Sequence, residues 1–151
     1  MGAQQSLITD RLRAAIGTAT EPRTVVVTKQ VAARLAEALG EDPEAVTAAA
    51  TAPPFYIAAF ETQMPADELP VELAAAVLAG DECELRRPLR WGERISGRGR
   101  VADIYERFGG RHGQTLYLRY AWTFEDERGD VVATAHRIMV RYAVVAEDEA
   151  P

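Results

Sequence analysis

Between residues 114 and 124 apolar and polar side chains alternate without interruption, placing Leu116, Leu118, Tyr120, Trp122 and Phe124 on one face. That period of two predicts a half-buried β-strand. Strand patterns also cover residues 82–89, 94–108 and 131–144. Residues 126–130, around Gly129, read as a hairpin turn, and Gly109-Gly110-Arg111-His112-Gly113 as a loop. Gly97 and Gly99 inside the second strand signal a bulge or the close approach of another element.

The first half of the chain carries a helical period instead. Residues 4–16 predict a short amphipathic helix with Leu7, Ile8, Leu12 and Ile16 on one side and Gly17 as its C-cap. After Pro22, Thr24-Val25-Val26-Val27 is a β-branched run that predicts a strand. Thr28 caps the next helix, where Val31, Leu35, Ala38 and Leu39 recur at helical spacing up to Gly40. Glu41-Asp42-Pro43 opens a turn or a further short helix, and Ala52-Pro53-Pro54 stops it. Residues 62–70 read as loop. Residues 71–78 are strongly apolar and read as a helix closed by Gly80, the candidate for a helix buried inside the sheet.

At 151 residues the chain fits one domain with a core that needs neither disulfide nor metal. A net charge of −6 argues against nucleic acid or an anionic membrane as the main partner. Cys83 is the only cysteine, so no internal disulfide is expected. The first ten residues lack the pattern of a secretory signal, and no apolar run approaches the ~20 residues of a membrane helix. A cytoplasmic protein is the expectation. Frequent Ala and Arg with a lone Lys29 fit a high-GC bacterial source. Arg86, Arg87, Arg90, Arg94, Arg98 and Arg100 cluster. Their plainest reading is a solvated sheet face, and their functional reading is a docking patch for an anionic ligand or an acidic partner.

Five pieces in order carry a family resemblance: Ala52-Pro53-Pro54-Phe55, Val77-Leu78-Ala79-Gly80 with Asp81-Glu82, Arg87-Pro88-Leu89 with Gly92-Glu93, residues 101–113, and Gly129-Asp130-Val131-Val132. From about Val25 to about Tyr142 the chain resembles the N-terminal-type domain of MaoC-like dehydratases. The resemblance implies an α+β fold: a single hot-dog domain, a long antiparallel sheet wrapped around a central apolar helix, with extra N-terminal helices. It divides the chain into a helical extension (1–23), the hot-dog domain (24–145) and an acidic tail (146–151). It also implies acyl-thioester chemistry on acyl-ACP or acyl-CoA: water leaves a 3-hydroxyacyl thioester, or adds back, in fatty-acid or polyketide-type metabolism. That reaction needs a base for the C2 proton, an acid for the C3 hydroxyl and donors for the thioester carbonyl.

Relatives keep an Asp and a His on a loop reading Gly-Asp-x-Asn-Pro-x-His. Here the matching loop is Leu39-Gly40-Glu41-Asp42-Pro43-Glu44-Ala45, and no register supplies the pair. Ala79 likewise stands where many relatives carry His. The expectation is therefore a subunit that contributes pocket and interface while a second hot-dog subunit supplies Asp and His. The alternative is a stand-alone homodimer, either an acyl-binding module or a thioesterase using Asp67, Glu68 or Glu72.

Candidate residues follow from these readings. Asp42, His112 and His136 are the catalytic candidates, with a helix cap, an exposed loop histidine and a sheet histidine in phase with Val132 and Val140 as their plainer roles. Pro54, Phe55, Tyr56 and Phe60 are candidates for an acyl tunnel, with ordinary core packing the more frequent fate of such residues. Arg90 and Arg94 are candidates for docking the phosphopantetheine or its carrier. His112, His136 and Cys83 lack metal-site spacing, Gly97-Arg98-Gly99 is no nucleotide fingerprint, and the two serines sit in no nucleophile elbow, so no metal or cofactor is expected.

Overall fold

The computed structural model describes residues 5–60, 69 and 71–144. In chain order it contains α1 (Asp10–Ala15), β1 (Arg23–Val26), α2 (Lys29–Leu39), α3 (Pro43–Ala48), a 3-10 helix (Pro54–Phe60), β2 (Ala75–Leu85), β3 (Arg94–Phe108), β4 (Gln114–Glu125) and β5 (Val131–Tyr142). The strands form one antiparallel sheet in the order β1-β3-β4-β5-β2. The helices cover one face of that curled sheet, the hot-dog plan that the motif order implied.

The alternation in β4 sets the core as expected. Leu116, Leu118, Tyr120, Trp122 and Phe124 are all buried on the inner face, and Ile95, Val101, Ile104 and Ala133 join them from β3 and β5. Gly97 and Gly99 lie directly across from Phe124 and Trp122 in the β3–β4 ladder. A methyl group at Gly99 would fall 2.5 Å from Trp122 Nε1, and one at Gly97 would fall 2.7 Å from the Phe124 ring. The glycines therefore mark a close approach: the two aromatic rings lie over bare backbone.

Local caps set the helix limits. The Thr28 side chain accepts from Val31 N at the start of α2, and Gly40 ends it in the left-handed conformation at φ 74°. Ala32 and Ala36 form its fully buried face, Val31 and Leu35 are half-buried, and Leu39 is 60% exposed. The small alanines let the helix approach the layer below. Thr9 caps α1, so the helix begins at Asp10 rather than near residue 4, and Leu7 and Ile8 pack against the core before it starts.

The apolar run 71–78 departs from the helix reading. From Ala75 it is strand β2, paired with β5 from Ala75 opposite Tyr142 to Leu85 opposite Ala133. A short apolar run fits either a buried helix or a strand, and here pairing with the long β5 overrides the helix preference of Ala74–Ala76. Gly80 is not a helix cap, since it sits where the ladder shifts register between Leu78 and Gly80. The helix packed against the core is α2, through Ala32 and Ala36, and not residues 71–78.

Two ties hold the loops. Arg87 pairs with Glu93 in a short contact, and its second link to Asp126 spans 3.1 Å. The Arg87 guanidinium and the Arg90 N–H hold Glu93 below the usual 4.5 despite its burial. Burial pushes Asp126 up, but N–H donors of Asp130 and Arg128 and the Arg87 side chain outweigh it and hold it below 3.8. At the opposite end, Glu106 accepts from Leu7 N at 2.9 Å and from Gln114 Nε2 at 3.0 Å, which ties the N-terminal segment to the sheet. Residues 17–20 then run beside β3, with Val101 N donating to Thr18 O at 3.0 Å and Thr20 N to Gly99 O at 2.8 Å.

Two expectations follow. Gly99→Ala forces a methyl into the Trp122 ring and lowers unfolding free energy by about 1–3 kcal/mol, read from urea melts. Glu93 carries a depressed pKa in the fold, so its contribution is complete above about 4.5 and disappears as pH falls through the lowered value. Thermal melts from pH 7 to pH 3 should stay level above about 5 and then decline, and Arg87→Met should lower the plateau and flatten the decline.

Candidate functional site

A cavity of about 110 Å³ lies between the 3-10 helix and the inner face of the sheet. Ala52-Pro53-Pro54 directs the chain across the sheet, and Tyr56 N donates to Pro53 O at 2.9 Å to start the tight turn. Ile57, Ala58 and Phe60 of that helix form one wall. Trp122 and Phe124 of β4, with Ala135 of β5, form the other. Phe60 is fixed by Phe124, their ring centroids 5.1 Å apart. The apolar wall thus depends on the same two rings that rest on Gly97 and Gly99.

The polar rim belongs to β2 and β5. Arg137 Nη2 donates to Asp81 Oδ2 at 2.7 Å across the strand pair, and its guanidinium carbon stands 5.7 Å from the Trp122 ring centre. Cys83 completes the rim and is exposed. Such a chamber accepts a short apolar group and meets a polar one at its mouth. Among the described residues that line it, the ionisable ones are Asp81, Cys83 and Arg137. No histidine is among the described residues that line it.

The residues singled out from sequence lie apart. Asp42 caps α3, its carboxylate accepting from Glu44 N at 3.0 Å. His112 sits exposed in the β3–β4 loop against Tyr142, ring centroids 4.2 Å apart. His136 is exposed on the outer face of β5, opposite Glu82 of β2. No hydrogen bond or ion pair among the described residues joins any two of the three.

Of the four tunnel candidates, Phe60 lines the cavity. Tyr56 is 1% exposed and its hydroxyl ties β1 to α2, accepting from Thr28 N at 2.8 Å and donating to Val26 O at 3.3 Å. Pro54 and Phe55 open the 3-10 helix without lining the cavity. Among the arginines, Arg87 is held internally and Arg94 lies 3.7 Å from exposed Glu127, while Arg90 is exposed beside the strand entry. Trp91 anchors that entry, donating from Nε1 to Ala49 O at 2.8 Å with Lys29 over its ring. Asp67 and Glu68 lie outside the described residues, and Glu72 is exposed.

Asp81, Cys83 and Arg137 carry a signal that was available. The even-numbered positions of β5, including His136, read as one face with Val132. The register shifts between Phe124 and Glu125, and the inner face continues through Ala133, Ala135 and Arg137. An arginine in phase with buried alanines was the mark of the rim. Among the described residues no group of three metal-ligating side chains forms, and no helix is long and apolar enough to cross a membrane.

Residues 14–135 match the family described as the FAS1-like dehydratase domain region. No curated protein matches the sequence. Among solved structures, the chain is similar to the ChsH1-ChsH2 complex of Mycobacterium tuberculosis, with a TM-score of 0.68 at 15% identity, covering 85% of this chain and 86% of that one. It is also similar to the C-terminally truncated HadBC (3R-hydroxyacyl-ACP dehydratase) complex of the same organism, with a TM-score of 0.65 at 16% identity over 83% and 96%. The R-hydratase PhaJ1 of Pseudomonas aeruginosa gives a TM-score of 0.59 at 16% identity over 90% and 89%. These likenesses place the fold among MaoC-like hot-dog proteins.

Asp42→Ala is expected to cost about 1 kcal/mol of stability, the usual loss of an N-cap, read from the urea midpoint. His112→Ala and His136→Ala should leave any measured thioester activity at the unsubstituted level, checked by initial rates.

Proposed function

The chain belongs to the FAS1-like dehydratase domain region family, and on that footing we propose that it is one hot-dog subunit of a 3-hydroxyacyl-thioester dehydratase or enoyl-thioester hydratase. It supplies an acyl chamber and an assembly edge, and a partner hot dog supplies the Asp and His. Residues 24–145 form the hot-dog unit in this reading and residues 1–23 an extension, whose described part is tied to the sheet through Leu7 and residues 17–20. The tail 146–151 lies outside the described residues.

One observation carries the proposal: a chamber walled by Phe60, Trp122 and Phe124 in which no described residue forms an acid–base pair. Dehydration removes a proton from C2 and expels the C3 hydroxyl as water, so a base and an acid must both reach the substrate. Asp42 is spent on a helix cap, and both histidines face solvent elsewhere. In this reading the missing groups enter from another chain. Two of the similar structures, ChsH1-ChsH2 and HadBC, are complexes of two named components, which supports that arrangement. On the present chain the rim pair Asp81–Arg137 orients the polar thioester end of the ligand, and the aromatic wall receives its carbon chain.

The decisive assay follows enoyl absorbance with crotonyl-CoA and 3-hydroxybutyryl-CoA. The purified chain alone should be inactive, and a mixture with a hot-dog protein bearing the Asp–His loop should turn over. Turnover by the chain alone would sink the proposal, and hydrolysis of the thioester would replace it with the thioesterase reading. Ala58→Phe, at an exposed position on the chamber wall, should weaken binding of a short acyl-CoA at least tenfold, about 1.4 kcal/mol by calorimetry, without lowering the melting temperature.

A further inference from the structure

The outward side chains of the sheet fall into level rungs. One rung runs Arg98, Thr123, Thr134, Glu84 across β3, β4, β5 and β2, and the next runs Arg100, Ala121, His136, Glu82. Each begins on an exposed arginine and ends on an exposed glutamate. No ion pair among the described residues reaches any of these four charges. A mixed rung follows, Asp103, Arg119, Ile138, Gly80, which sets Arg119 directly across from Asp103. Beyond it comes an apolar rung, Tyr105, Tyr117, Val140, Val77. Its two tyrosine rings stack with centroids 4.9 Å apart, while Val77 is 49% exposed. The face is thus cationic along β3, anionic along β2 and apolar toward one end.

We propose that this outer face binds a second copy of the chain about a two-fold axis running along the strands, midway between β4 and β5. β3 and β2 lie one and a half strand spacings, roughly 7 Å, on either side of that line. Rotation about it carries β3 over β2 of the other copy at unchanged height. Arg98 then meets Glu84 and Arg100 meets Glu82, twice over, because a two-fold contact is isologous. Tyr105 comes over Val77 and Tyr117 over Val140, which covers the exposed valine. Thr123 meets Thr134, Ala121 meets His136, Arg119 lays its stem along Ile138, and Asp103 comes over Gly80. No rung sets like charges face to face. An axis across the strands would lay β3 on β3, with Arg98 against Arg100, so charge selects the axis along them. The ~30° crossing of aligned sheets displaces the flanks by about one residue, which two like charges on alternate positions absorb. Ala121, Thr123 and Thr134 are small at the midline, and the arginines and glutamates are long at the flanks. That distribution suits the outside of a curled sheet, where the gap widens away from the axis.

Sedimentation of the full chain at low ionic strength tests this. Wild type should dimerise, and the dimer should weaken as salt rises. R98E/R100E and E82K/E84K should each associate at least about tenfold more weakly, since either reversal sets like charges together on both flanks. Mixed one to one, the two variants should recover wild-type affinity, because every flank of the mixed pair opposes a glutamate to an arginine or a lysine. Val77→Ser, away from those charges, should also weaken the wild-type dimer. Circular dichroism checks that each variant folds. A wild-type chain that stays monomeric throughout, a dimer indifferent to R98E/R100E, or a mixture no tighter than its members would overturn the inference. None of the substituted residues lines the chamber, and no reading depends on turnover, so failure of the dehydratase reading would appear separately in the activity assay.

Discussion

Two aromatic rings lying on two glycines govern this molecule. Trp122 and Phe124 can settle against β3 only because Gly99 and Gly97 present no Cβ, and the contact brings the rings close to the strand backbone. Phe60 then packs on Phe124, which fixes the far end of the 3-10 helix over the sheet. Tyr56, a turn earlier, contacts Phe60 edge-on and fastens the β1–α2 junction through its hydroxyl. The chamber is the space left between these commitments. Its shape therefore follows from backbone proximity in β3 as much as from the side chains that line it.

The strands of the second half were legible because each buries one face and leaves the other wet, and that condition writes itself as alternation. The glycines in β3 were legible as a bulge or a close approach, and the structure shows the second, with the strand's irregularity lying further on at Val101/Asp103. The run 71–78 was not legible. It is apolar on consecutive positions because an edge strand can expose Val77 and Leu78, and no period survives there to separate helix from strand. The inner helix was hidden by its own composition. Ala32 and Ala36 bury fully, yet alanine carries little hydrophobic signal beside Val31 and Leu35.

The candidate site was legible chiefly by what it lacks. No register of the loop around Asp42 supplied the Asp and His that the resemblance implied, and the structure gives Asp42 a capping role. Phe60 borders the cavity, while Tyr56 is committed to a backbone donor and acceptor. Arg137 and Asp81 escaped notice because the phase of β5 depends on a register shift that no local pattern announces. Side-chain direction after an irregularity is a property of the ladder rather than of either strand.

The two margins of the sheet are unequal. On one side stands β1, four residues long, followed in space by the residue 17–20 segment that satisfies part of β3. On the other stands β2, eleven residues long, whose outer side pairs with no strand among the described residues. Among the described residues the sheet thus has one long free margin and one short margin that is partly covered, so the two ends of its hydrogen-bonding direction are not equivalent surfaces.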